Sequence, residues 1–115
     1  MLNPGDLFAI LSDSTRLRAL MLVQAEGEVC VCELMFALDE SQPKISRHLA
    51  VMRAAGIVAS RREDTWIHYR MNSGLSSWAK EVMALTHQRI QRLSPFADDR
   101  DRLQRMNNRP HRTVA

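Results

Sequence analysis

Residues 28–52, EVCVCELMFALDESQPKISRHLAVM, decide how the chain reads. Val31, Leu34, Met35 and Leu38 recur at helical spacing and define one apolar face; Ile45, Leu49 and Met52 define a second. Between them, Asp39-Glu40-Ser41-Gln42-Pro43 supplies a stop, a serine able to cap a helix, and a proline tolerated in a first turn. Two short helices joined by a tight polar turn form a helix-turn-helix, whose second helix enters the major groove of DNA. The chain's only two cysteines, Cys30 and Cys32, sit at the start of the first of these helices. One segment therefore carries the elements of a DNA reader and of a chemical sensor.

Upstream, Leu7, Phe8, Ile10 and Leu11 predict a short helix over 4–12 with little polar surface, to be buried in its own domain or against a second subunit. Ser12-Asp13-Ser14 offers caps for a second helix with Leu17, Leu20, Met21 and Val23 or Gln24 inward, and Gly27 suits its left-handed end. Downstream, Gly56 gives another stop, and IVASRREDTWIHYRM (57–71) alternates as two strands about Glu63-Asp64-Thr65, without an Asn-Gly turn signal. A helix-turn-helix followed by a hairpin is a winged helix, with Arg61 and Arg62 near the tip of the wing.

Leu75, Trp78, Val82, Leu85, Ile90 and Leu93 return to helical spacing over 75–93. That helix is too apolar to be solvated all round, so with the first helix it is the expected subunit interface. Beyond Pro95, the stretch 96–115 is charged and poor in apolar residues, which reads as mobile or marginally helical. The expected fold is mainly α with a small β-hairpin, a winged helix-turn-helix over 1–95 that is homodimeric through its first and last helices. A charged, flexible tail over 96–115 completes it.

With 115 residues the chain has room for one small core but not for a wide enzymatic cleft. A net charge of +3 suits a polyanionic partner only mildly, so the placement of the arginines matters more than their number. No apolar run approaches the ~20 residues of a bilayer span, and MLNPGDLF lacks a signal-peptide layout. A cytoplasmic protein with reduced thiols and no membrane association is the expectation.

Turning Ile45, Leu49 and Met52 inward places Pro43, Arg47, Ala50 and Ala54 opposite the core, at about 100° per residue. Ser46 and Lys44 lie on the flanks, Gln42 at the N-terminal end, and His48 beside the core face. Gln can pair bidentately with adenine and Arg with guanine, while Ser serves several base edges or phosphate. Arg61 and Arg62 on the wing suit phosphates or the minor groove, adding affinity with little sequence information, and Lys44 and Arg53 suit the backbone. The expected contacts with double-stranded operator DNA are thus Gln42, Lys44, Ser46, Arg47, His48, Arg61 and Arg62.

Taken together, SQPKISRHL (41–49), the W-x-H-Y-R strand (66–70) and the D-S-T-R-L opening (13–17) resemble the ArsR/SmtB family of metal-responsive winged-helix repressors over roughly residues 5–90. CVCEL at 30–34 is most similar to the arsenic-sensing branch. The resemblance implies a homodimer with contacts between first and last helices, and repression relieved by ligand. A small thiol enzyme such as an arsenate reductase needs a cysteine in an anion-binding loop, and no such loop is present, so no enzymatic activity is expected.

Cys30-Val31-Cys32 poses a geometric problem. In a regular helix, residues i and i+2 point about 200° apart, whereas in extended chain they share a face. Chelation by both thiolates is therefore expected to require a distorted first turn. Thiolates select soft, thiophilic centres, and a helix N-terminus lowers a thiol pKa. The arsenic-sensing pattern has a third cysteine where this chain has Met35, whose thioether is a poor ligand for trivalent arsenic. Two thiolates suffice if hydroxide, a small thiol or a methyl group fills the third position. The inferred inducer is trivalent arsenic (arsenite or a methylated arsenical) or antimonite at Cys30 and Cys32. The alternatives are a thiol redox switch, strained across C-x-C, or no small-molecule inducer. Zinc normally wants four ligands. His48, His68, His87 and His111 are better read as structural, DNA-contacting or tail residues.

Overall fold

A computed structural model describes residues 2–110. Helices α1 (Pro4–Leu11) and α2 (Ser14–Glu26) lead into a short strand β1 (Glu28–Cys30), then α3 (Val31–Leu38) and α4 (Gln42–Ala54). Strands β2 (Val58–Glu63) and β3 (Trp66–Met71), helix α5 (Ser77–Ile90) and helix α6 (Phe96–Gln104) follow. Side chains start the first helices as their types dictate: Asn3 accepts from the Asp6 N–H at 2.8 Å, Asp13 from Arg16 at 3.0 Å and Ser41 from Lys44 at 3.4 Å. At the other end of α2, Gly27 takes φ 83°, a conformation that a Cβ would strain.

Leu20 and Leu22 of α2, Leu34 of α3, Ile45, Leu49 and Met52 of α4, and Met83 of α5 meet in one buried core. The turn between α3 and α4 closes because Asp39 adopts a left-handed conformation, φ 53°, which short polar side chains tolerate. Asp64 does the same at the hairpin, φ 55°, so the tight turn forms without Asn-Gly. The sheet has an unforeseen third strand. Its order is β1-β3-β2, all antiparallel, with Cys30 opposite His68 and Arg61 opposite the same His68. The fold is the expected winged helix-turn-helix, mainly helical with a small sheet.

The reading of 96–115 as a mobile or marginally helical tail is corrected for its first part. Helix α6 packs on α2 and α3. Its Leu103 is fully buried, and the Asp99 carboxylate, 1% exposed, is gripped by the Arg18 guanidinium at 2.8 and 2.7 Å. One leucine and one buried ion pair hold this helix, so no apolar stripe announces it. The folded unit therefore runs past residue 95, and residues 111–115, including His111, lie outside the described residues. Helix α5 seats Ala79 and Met83 in the core while Leu85 and Leu93 stay more than half exposed, as does Phe8 of α1. No described helix is long and apolar enough to cross a membrane.

Candidate functional site

Helix α4 turns Ile45, Leu49 and Met52 inward and leaves Gln42, Pro43, Ser46, Arg47 and Ala50 exposed. Gln42 and Ser46 thus share an open surface with Arg47, as their spacing predicts. Lys44 sits at its flank, with Nζ 3.1 Å from Glu40. His48 is half-buried among Asp13, Arg16, Arg47 and Lys44; burial pushes its imidazole pKa down, and Asp13 partly restores it. Arg53 Nη1 donates to Ser60 Oγ at 3.2 Å, tying the end of α4 to β2.

The two wing arginines separate. Arg62 is exposed and faces solvent. Arg61 donates through Nε and Nη2 to Glu28 at 2.8 and 2.6 Å and through Nη1 to Glu63 at 2.7 Å. These carboxylates raise its already high pKa further. Because β1 and β2 flank β3, the Arg61–Glu28 pair straddles the middle strand and clamps the sheet. In this geometry Arg61 is committed to the fold, and Arg62 is the wing cation turned outward. The partner, Glu28, lies 33 residues away in sequence, so no local signal marks it.

Cys30 and Cys32 straddle the boundary between β1 and α3. Cys30 is the N-cap of α3, with extended backbone (φ −88°, ψ 155°), and Cys32 lies in the first turn. Their sulfurs are only 3.3 Å apart, the Cys32 thiol donating to Cys30 Sγ. Cys30 already has the extended backbone that lets both side chains meet, so bringing the two sulfurs together takes no distortion of the first turn. Two thiolates bonded at ~2.3 Å to one centre, with an interbond angle of about 90–110°, sit roughly 3.3–3.8 Å apart. The 3.3 Å separation of the pair falls at the lower end of that range.

Burial, then the hydrogen bond to Cys30, pushes the Cys32 thiol pKa up to about 12. The expected lowering at a helix N-terminus is overridden here, since the nearby Glu33 carboxylate also disfavours a thiolate. Glu33 is completely buried. It accepts from the Cys30 N–H at 2.7 Å and from Arg109 Nε at 2.6 Å, while Arg109 Nη2 donates to Glu26 at 2.9 Å. The chain after α6 thus reaches back to brace Glu33, a support that sequence reading missed. Cys32 opens onto a groove of about 580 Å³ whose walls include Met35, Phe36, Arg102 and Met106. No cluster of three or more His, Cys, Asp or Glu side chains suited to a metal ion occurs among the described residues. His68 is fully buried and cannot reach DNA from there; its Nδ1 lies 3.9 Å from Glu28, beyond hydrogen-bond range.

A model of bacterial regulatory proteins of the arsR family matches residues 13–60, from the cap of α2 into β2, and so includes both cysteines and α4. The arsenic resistance transcriptional regulator ArsR2 of Pseudomonas putida is 48% identical over 112 residues, covering 97% of this chain and 96% of that protein. Among solved structures, HlyU from Vibrio cholerae superimposes with a TM-score of 0.65 at 30% identity, over 73% of this chain and 87% of that one. The AntR antimony-specific transcriptional repressor superimposes with a TM-score of 0.60 at 28% identity, over 70% of this chain and 69% of that one.

Proposed function

The chain belongs to the ArsR family of bacterial transcriptional regulators, and from that membership we propose that it is a metalloid-responsive repressor that leaves its operator when trivalent arsenic or antimony binds Cys30 and Cys32. It is a regulator and not an enzyme. It acts in the cytoplasm, where operator DNA is available and thiols stay reduced. Two copies bind DNA together, joined through α1 and α5, whose exposed Phe8 and Leu85 and the following Leu93 are covered by the partner. Gln42, Ser46 and Arg47 read base edges, while Lys44 and Arg62 contact the backbone. His48, on the flank of α4 beside Asp13, is the remaining DNA contact of that helix.

The observation that carries the sensor reading is the 3.3 Å separation of the two sulfurs. Arsenous acid, As(OH)₃, exchanges two hydroxides for two thiols, forming two As–S bonds and releasing two waters. The thiol protons leave in those waters, so a thiol held protonated is no barrier. One hydroxide, or a methyl group in a methylated arsenical, keeps the third position that Met35 does not fill. The names of two similar proteins, an arsenic resistance regulator and an antimony-specific repressor, support the same ligand class.

Coupling to DNA follows from the packing. Cys30 is held by Glu33, and α3 rests directly on α4. The centre and its third substituent need room beside the start of α3, and that demand, rather than a change in sulfur spacing, alters the presentation of α4. Release requires that the metalloid bind the DNA-free arrangement more tightly than the DNA-bound one. The close thiols also favour an oxidation switch, but a high thiol pKa slows thiolate chemistry and a C-x-C disulfide is strained. The test is binding of the protein to its own upstream promoter duplex, titrated with arsenite, methylarsenite, antimonite and peroxide. Release by the trivalent metalloids is expected; retention through all of them, or release by peroxide alone, contradicts the proposal.

A further inference from the structure

The groove beside Cys32 holds more sulfur than a two-thiolate metalloid site uses. Met35 and Met106 line it together with Cys32, and Cys30 Sγ lies 3.3 Å from Cys32 Sγ. Cys32, Met35 and Met106 thus line one groove, with the buried Cys30 beside Cys32. Met106 is brought there by α6, which Leu103 and the Arg18–Asp99 pair pin to α2 and α3, and by Arg109, which closes onto Glu33 and Glu26. Met21, Met52 and Met83, by contrast, are sealed in the core.

Thioethers are poor ligands for hard cations, but combined with thiolates they select soft ones, copper(I) above all. Spacing adds a second constraint. A linear two-sulfur centre with bonds of ~2.3 Å needs sulfurs roughly 4.6 Å apart, well beyond the 3.3 Å of this pair. A copper(I) ion held by these two thiolates is therefore bent, and a bent centre takes further soft donors. Met35 and Met106 are the sulfur donors that line the same groove. Copper(I) displaces two protons and leaves a bis-thiolate centre of charge −1, with no change of oxidation state; the same groove carries the Arg102 guanidinium and the Asp39 and Glu40 carboxylates.

We propose that Cys30, Cys32, Met35 and Met106 form a copper(I) site, with the two thiolates as principal ligands and one or both thioethers completing the coordination. The proposal rests on the cysteine pair of the metalloid reading but on a different third donor, so the two fail separately. The experiment is anaerobic competition between the full-length protein and the coloured copper(I)–bicinchoninate complex. The wild-type chain is expected to withdraw one copper(I) per subunit. Met35→Leu/Met106→Leu should bind copper(I) at least tenfold more weakly yet still leave operator DNA when arsenite is added, which also shows that the variant folds. Copper(I) affinity should rise with pH because protons are released to solvent, whereas arsenite affinity should not. In selenomethionine-labelled protein, copper-edge absorption should show a selenium neighbour. Failure of the wild type to withdraw copper(I), unchanged affinity in the double variant, or a shell free of selenium overturns the proposal. Loss of the arsenite response in Cys30→Ser/Cys32→Ser, with copper binding unaffected by the methionines, would leave the metalloid reading standing alone.

Discussion

Asp99→Ala removes the partner that holds α6 to α2. The carboxylate is 1% exposed and takes two hydrogen bonds from Arg18, which is itself 21% exposed, and a third from Arg102 at 3.0 Å. Removing one side of a buried pair costs about 3–5 kcal/mol, because the remaining charge is left desolvated. Arg18 keeps some contact with water and Arg102, more exposed still, rehydrates, so the lower end applies: about 3 kcal/mol. For a domain of this size that corresponds to a fall in Tm of roughly 10 °C. Thermal unfolding followed by circular dichroism measures it, with wild type and variant at one protein concentration because association shifts Tm. The cause is separable from lost packing. Arg18→Met combined with Asp99→Ala removes the stranded charge as well, and should recover a large part of the loss. A single-variant shift below about 3 °C, or a double variant no more stable than Asp99→Ala, would refute the role given to this pair.

Leu103→Ala should cost about 2–4 kcal/mol as a buried truncation, read from the urea midpoint; a neutral result would restore the mobile-tail reading. Arg47→Ala should flatten discrimination between operator and scrambled duplex, while Arg62→Ala should weaken both about equally and lower the salt slope by about one. Both are measured by fluorescence anisotropy at several salt concentrations. Cys32 holds its proton in the folded chain above its ordinary pKa of 9.0. Its contribution to stability is therefore fully present below about pH 9 and is lost as pH climbs toward 12. Cys32→Ser should lessen the alkaline loss, seen by comparing urea midpoints at pH 8 and pH 10.

The helix-turn-helix was legible because its two helices have separate apolar stripes and their starts carry residues that cap: Asp13 and Ser41 both accept from the residue three ahead. The exposed face of α4 followed from the same periodicity. What escaped was held by long-range polar contacts. Arg61 reads locally as a free wing cation, and only the sheet brings Glu28 across β3 to meet it. Helix α6 has one deeply buried leucine and a buried aspartate, a pattern that composition scores as solvent-loving. The thiol geometry was misjudged for a third reason. The i, i+2 rule assumes one backbone conformation, whereas the change from strand to helix falls between Cys30 and Cys32. The thiol pKa went the same way: the helix end was visible in sequence, but the burial and the buried Glu33 that outweigh it were not.

The sensor role of the thiol pair is tested most directly by anisotropy of labelled promoter duplex bound to wild-type protein and to Cys30→Ser/Cys32→Ser, each titrated with arsenite. Both proteins should bind the duplex alike before arsenite is added, since neither side chain belongs to the reading surface. Arsenite should then release the wild type and leave the double variant bound. A variant that still dissociates on arsenite would contradict the assignment of the inducer to these two sulfurs.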